Sequence, residues 1–312
     1  MKNLDRAIRA AAGSLLLTCG AAFAQPAGLQ GQGQAVVTVL PKGDSEPLVG
    51  YTQAEMKIKV DGRDASVTNW TSLRGAERPT ELVILIDGGA QSSLTNQFEE
   101  IKGFVKETPA NTKVAIAYME DGRAAFSSPL SADGKEVLRG LHMPFGIAGS
   151  SASPYFCLSD LATKWPSKDP TARRVVVMIT NGVDNYDSRL DLDDPYVQTA
   201  VRDSVRARLV VYPIYWGGRG MGNGGGSNAG QSLLVQIADA TGGKSYWMGT
   251  GNPVSFEPYF RDLRRRLRNQ YLLSFAANLS GKPEMQRLQV KIGGAATKVD
   301  APQQVFVSRA GE

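Results

Sequence analysis

Asp87 is the residue of this chain best placed to do chemistry. It closes an apolar run, Leu82-Val-Ile-Leu-Ile86, and the small residues Gly88, Gly89 and Ala90 follow it. Next comes the helical spacing Leu94, Phe98, Ile101, Val105. Such a series reads as a buried parallel strand, a tight turn and an amphipathic helix. The carboxylate therefore stands at the carboxyl end of a central strand, where open α/β sheets place ligands. Other candidates for chemistry have less behind them. His142 is the single histidine, in Leu141-His-Met-Pro144, so most acid–base constellations are unavailable. No G-x-S-x-G elbow surrounds any serine, and no motif joins Cys157 to His142. Gly220, Gly222 and Gly225 form a G-x-G-x-x-G inside Gly217–Gly226. A dinucleotide site uses a tight first βα turn, whereas this segment is late, long and followed by polar residues. It reads as a loop on the ligand-facing rim. The chain is expected not to be an enzyme.

The elements that must position Asp87 alternate between strand and helix from residue 80 to 270. Lys113–Tyr118 is a second strand, and Arg123–Phe126 a short third after the Asp121-Gly122 turn. Arg173–Thr180 is a second strand with an unbroken apolar run, Val175–Ile179, ending at a polar turn, Asn181-Gly182-Val183-Asp184. Arg208–Tyr215 is another strand, and Lys244–Met248 a short candidate. Helices are expected near 132–141, 152–165, 195–208, 231–240 and 254–269. Asp193 and Asp194 before Pro195 read as helix N-terminal charge. This alternation specifies an α/β unit, a mostly parallel sheet with helices on both faces. On the last helix, Arg261, Arg264, Arg265, Arg266 and Arg268 lie opposite Phe256, Phe260, Leu263 and Leu267. A solvated basic face is expected there, with contact to an acidic partner or anionic surface as the sharper alternative.

Strands also flank this unit. Ala35–Leu40 precedes a hairpin, Met56–Val60 and Ala65–Trp70, turning at Asp61-Gly62. Tyr271–Phe275, Arg287–Ile292 and Gln304–Ser308 follow it. The two β segments are expected to pair into a small sandwich, with residues 25–33 as a Gly-rich flexible leader. Residues 1–24 read as a signal peptide: Lys2, Arg6 and Arg9, an apolar stretch from Ala10, and Ala22-Phe23-Ala24 for cleavage. Lipoprotein processing at Cys19 is the lesser alternative. Domains are accordingly placed at 1–24, 25–78, 79–270 and 271–312. Of two cysteines only Cys157 would remain, so the mature chain has no internal disulfide. The formal charge of +5 falls to +3 without the signal's three basic and one acidic residues. That excess gives no argument for nucleic acid. No later stretch reaches membrane-spanning length.

At these residues the chain resembles the von Willebrand factor A-like domains, in an exported bacterial branch of acidobacterial type. The resemblance rests on Val83-Ile-Leu-Ile-Asp87, Val175–Asp184, Ala238-Asp-Ala-Thr-Gly-Gly-Lys-Ser-Tyr246 and Arg268–Phe275, with Val36–Leu40 and Met56–Gly62 upstream. It covers almost all of 35–308 and implies a Rossmann-like fold. It also implies a strand-end metal site in which a D-x-S-x-S turn, a distant Thr and a further Asp hold a divalent cation. A partner's carboxylate completes the shell. Here Asp87 stays, Gly89 and Gln91 replace the two serines, and Asn181 replaces the further Asp. The distant hydroxyl falls within Gly149–Ser153, at Ser151 or Ser153. Neutral ligands hold a divalent cation less strongly than carboxylates.

The resemblance thus implies an exported, periplasmic or secreted, non-catalytic protein-interaction module with a degenerate metal site and no cofactor. Its partner-binding rim would comprise Asp87, Gly89, Gln91, Ser151, Ser153, Asn181 and Asp184. The alternative is a Mg²⁺-dependent adhesion module with Asp87, Ser92 and Asn181 as ligands; an enzyme of unknown reaction is a third reading. Without a ligand, Asp87 would cap the helix starting nearby.

Overall fold

Two bodies of secondary structure share one chain, and strands from both ends build the second. The computed structural model describes residues 29–41, 51–75, 78–145, 153–184, 193–217, 225–249, 251–279, 281–293 and 297–309. The first body is a five-stranded sheet in the order β6-β5-β4-β7-β8. These strands are β4 (Thr80–Asp87), β5 (Thr112–Glu120), β6 (Arg123–Phe126), β7 (Arg173–Thr180) and β8 (Leu209–Tyr215). All pairings are parallel except β5 with β6, which turn back through Asp121 and Gly122 at φ 46° and 72°. Positive φ at both central positions is the hairpin geometry an Asp-Gly pair favours.

β4 lies in the middle, and every residue from Thr80 to Ile86 is buried. Leu82, Ile84 and Ile86 face one side, against α1 (Phe98–Lys106), α2 (Gly134–Leu138) and α6 (Glu257–Arg268). Val83 and Leu85 face the other, against α3 (Pro154–Thr163), α4 (Pro195–Arg206) and α5 (Gly225–Thr241). A strand with helices on both faces cannot alternate polar and apolar residues, which explains the continuous apolar run. Asp194 caps α4 as its position suggests, accepting from Tyr196 N at 2.7 Å and Val197 N at 3.3 Å. No helix of the described residues is long and apolar enough to cross a membrane.

The flanking strands pair, but not as a sandwich. β1 (Leu29–Pro41), β12 (Gln304–Arg309), β10 (Glu284–Ile292), β2 (Met56–Val60), β3 (Arg63–Ser72) and β9 (Gln270–Leu279) form an antiparallel ring, closed by β1 against β9. β11 (Thr297–Asp300) pairs with the last residues of β1, Thr38–Pro41, on the edge opposite β9. Closure removes the free edges that two facing sheets would leave. A single core, including Val37, Ile58, Phe275, Leu288 and Val307, fills it. The Gly-rich leader is also corrected, because Leu29 to Gly33 belong to β1 and pair with Leu279 to Phe275. Their glycines serve packing: a Cβ on Gly33 would stand 2.4 Å from the Phe275 ring, and one on Gly31 2.6 Å from Val307.

Some helix and strand boundaries move. Leu94 sits in a 3-10 turn, Ser92–Gln97, and α1 proper begins at Phe98. Lys244–Met248 contributes only single bridges, Tyr246 to Ile214 and Met248 to Gly251. The basic helix is corrected in part. Arg266 is 1% exposed and donates to Asp262 at 2.8 Å and to Asp300 of β11 at 2.7 Å. Arg264 is only 19% exposed and pairs with Glu107, just past α1, as well as with Glu257 of its own helix. Two of the five arginines therefore hold α6 in place, whereas Arg261 and Arg268 are exposed.

Candidate functional site

The carboxyl ends of β4 and β7 bring Asp87 and the Asn181 turn together. Both Asp87 oxygens are occupied: Oδ1 accepts the Gly89 N–H at 2.8 Å, and Oδ2 accepts the Thr180 hydroxyl at 2.7 Å. The Ala90 N–H meets the Asp87 carbonyl at 3.0 Å, closing the turn. Asp87 consequently fastens its own loop and the neighbouring strand, and does not cap a helix. The 3-10 turn starts at Ser92 and α1 at Phe98, with no side-chain cap on either. Burial raises the Asp87 pKa above its ordinary value, against the two hydrogen bonds, which lower it.

The polar turn after β7 is held in a similar way. Asn181 Oδ1 accepts the Val183 N–H at 2.9 Å, so its amide oxygen is engaged within the loop. Gly182 has φ +69°, and its carbonyl accepts the Tyr155 hydroxyl. The turn lies hard against α5, where a Cβ on Gly230 would stand 2.2 Å from the Asn181 carbonyl oxygen. Asp184 is buried, and its Oδ2 accepts the Ser153 hydroxyl at 2.7 Å. Ser153 also caps α3 by accepting the Phe156 N–H at 3.3 Å. Ser151 lies outside the described residues, as does most of the Gly-rich loop. Gln91 accepts the Ser93 hydroxyl at 3.4 Å, and Ser92 is exposed at the start of the 3-10 turn. Thr180 had no place among the expected site residues, yet it is the direct partner of Asp87. Its position at the end of β7, one residue before Asn181, was the available signal.

Beneath the rim lies Cys157, fully buried, its thiol raised to about 12 by burial first and then by Asp87, Asp160 and Asp184. A thiol so far from ionising is a poor nucleophile at neutral pH. His142 is tied down as well. Its ring stacks on Tyr118 and Phe145, with centroids 4.2 and 5.5 Å apart, and its backbone N–H meets the Tyr118 oxygen at 2.9 Å.

A hard divalent cation takes several oxygens, carboxylates prominent among them. Asp87 has both oxygens bonded, Asn181 offers a neutral oxygen already accepting an N–H, and the Asp184 oxygen faces Ser153. Among the described residues no three His, Cys, Asp or Glu side chains stand close enough to hold a metal.

Among its described residues the rim exposes several large apolar side chains. Met143 and Phe145 are 41% and 78% exposed beside Tyr118, which pairs in register with Ile86 next to Asp87. Trp247, Met248 and Val254, at 43%, 61% and 88%, follow the bridge of Tyr246 to the end of β8. The Val254 carbonyl accepts the Gln97 amide at 3.1 Å, which ties this loop to the turn after Asp87.

No family model matches this chain, and no curated protein matches it in sequence. Its fold is similar to solved structures of low identity. An aerotolerance-related membrane protein from Bacteroides fragilis is 14% identical, with 60% of this chain and 98% of that one covered at a TM-score of 0.44. Proximal thread matrix protein 1 from the mussel byssus, solved with a zinc-occupied MIDAS motif, is 15% identical, with 67% and 50% covered at 0.42. The SpRpn10 VWA domain is 12% identical, with 60% and 94% covered at 0.38.

Proposed function

We propose that this chain is an exported, non-catalytic protein-interaction module of the von Willebrand factor A-like kind, binding through the strand-end rim without a metal ion. The observation that carries this reading is the contrast on that rim. Asp87, Asn181 and Asp184 are engaged within the chain, while Phe145, Met248 and Val254 stand in solvent. Large side chains gathered around one edge are the composition of an interaction surface. Rim loops on a rigid sheet are where such contacts are usually made. The buried Cys157 and the stacked His142 supply no activated nucleophile or base, which supports the non-catalytic reading. Export rests on the signal-like residues 1–24, which lie outside the described residues.

A thermal melt of the chain without its signal separates this reading from metal-dependent adhesion. A cation at about 100 times its dissociation constant adds roughly 2.7 kcal/mol to the state it binds. The proposed reading expects the same midpoint in EDTA and in millimolar Mg²⁺ or Mn²⁺. A rise of about 5 °C or more, absent in Asp87→Ala, would favour the adhesion module instead.

A further inference from the structure

At the opposite end of the sheet from Asp87, where β4 and β7 begin, lies a cavity of about 350 Å³. Leu82, Phe104, Pro109 and Leu267 give it apolar walls, and Leu73 closes it where the chain leaves the barrel. That volume lies near the lower end of the roughly 300–1,000 Å³ that small-molecule sites occupy. An apolar lining alone would be a packing gap. Among the described residues, four guanidinium groups on the same lining set this one apart: Arg74, Arg173, Arg264 and Arg268, against a single carboxylate, Glu107.

Among the described residues, the acceptors of Arg173 are all neutral. Nη2 donates to Thr80 Oγ1 at 2.7 Å, and Nη1 to the Leu267 carbonyl at 2.7 Å and Gln270 Oε1 at 2.9 Å. Burial lowers its pKa to about 10, a sign that its charge lacks a close counterion. Arg74, exposed, donates to the Arg268 carbonyl at 2.9 Å and to Asn269 Oδ1 at 3.0 Å, both neutral. Glu107 is taken by Arg264, its Oε2 lying 2.9 Å from Nη1, though that buried nitrogen makes no well-directed hydrogen bond. Arg268 is exposed at the mouth. Arg264 also meets Glu257, and Arg74 is exposed, so Arg173 is the cation held beside the apolar hollow with no carboxylate partner among the described residues. A charge held so is costly unless an anion joins it.

We propose that this cavity binds a small amphiphile, an apolar chain or ring bearing one carboxylate. Its body would fill the hollow between α1, α6 and the start of β4, and its head would meet Arg268, Arg74 and the edge of Arg173. Guanidinium groups suit a carboxylate because their planar fork matches its two oxygens. The site is separate from the rim and does not depend on the function proposed for it.

Titration calorimetry of the chain without its signal, with decanoate below its micelle concentration, tests this directly. Saturable one-site binding is expected, with decanol at least about tenfold weaker, the worth of one charge-assisted hydrogen bond. Acetate, lacking the apolar body, should not bind. Arg173→Met risks the fold, since that side chain ties β7 to α6. Arg268→Ala, at an exposed position, is the sharper variant and should weaken decanoate by about tenfold. Ala110→Trp should fill the mouth and abolish binding at an unchanged melting midpoint. No saturable decanoate binding, equal binding of decanol, binding of acetate, or decanoate binding untouched by both variants would each overturn the proposal.

Discussion

Asp262 should matter more to stability than the arginine it serves. Its Oδ2 accepts Arg266 Nε at 2.8 Å, Lys244 Nζ at 2.9 Å and the Tyr246 hydroxyl at 2.9 Å. Arg266 is 1% exposed, and its other nitrogen donates to Asp300 on β11, so this cluster joins the last helix to the barrel. Removing one partner of a buried ion pair leaves an uncompensated charge and costs about 3–5 kcal/mol. Asp300 retains one of the two bonds, so Asp262→Ala should cost about 2–3 kcal/mol. At roughly 2–4 °C per kcal/mol, the midpoint should fall by about 4–12 °C. Arg266→Met behaves differently, because it deletes the buried charge together with its desolvation cost. Asp262 then keeps Lys244 and Tyr246, so the loss should stay under about 1.5 kcal/mol. The pH dependence has a definite sign. Burial pushes the Asp262 pKa up, but its bonds to Arg266 and Lys244 outweigh this and bring it from 3.8 to about 2. A depressed folded pKa contributes stability above pH 3.8 that is lost as pH falls through about 2. Discounted for partial exposure, the contribution is about 1–2 kcal/mol, and it should be missing from the Asp262→Ala acid profile. Differential scanning calorimetry between pH 2 and 7 measures both effects. A midpoint for Asp262→Ala within 1 °C of the parent, or a larger loss in Arg266→Met, would refute the reasoning.

Three further outcomes are expected. Burial raises the Asp87 pKa, so its ionised form carries a cost that sets in as pH rises through the ordinary carboxylate range. Asp87→Asn should therefore be at least as stable as the parent at pH 7, while Thr180→Val, which strands a carboxylate oxygen, should lose about 1–3 kcal/mol by urea titration. Gly230→Ala drives a Cβ to 2.2 Å from the Asn181 carbonyl oxygen and should cost about 2–4 kcal/mol by the same titration. Cys157, buried with its thiol raised to about 12, should resist a thiol-specific chromogenic reagent at pH 8 until denaturant is added. Prompt labelling in the native state would contradict the burial described here.

The strands of the central sheet were legible because burial on both faces leaves a signature no other element needs. Leu82–Ile86 and Val175–Ile179 are uninterrupted apolar runs, and each ends at the polar residues that form the site. The Asp-Gly turns were equally plain, since few other pairs accept two positive φ values. The barrel was not, because closure depends on β1 finding β9 some 240 residues later, and no local pattern records such a partner. Leu29–Gly33 looked like a linker for a related reason. Its glycines make way for Phe275 and Val307, which sequence proximity does not reveal. At the site, Asp87 was visible from its place at a strand end. The hydroxyl that binds it was hidden, because Thr180 reads as the last residue of a strand until the register sets it beside Asp87. The basic helix misled for the opposite reason: Arg266 shares its periodicity with exposed neighbours but finds two carboxylates inside.

Site-specific photo-crosslinking tests the central claim most directly. A photoreactive residue at position 145 or 248 on the rim is compared with one at position 59 or 289 on the exposed face of the barrel, in the presence and absence of EDTA. One discrete protein adduct is expected from both rim positions, equal with and without chelator and missing from the barrel positions. An adduct that forms only when Mg²⁺ is present, or only from the barrel face, would contradict a metal-independent rim as the binding surface.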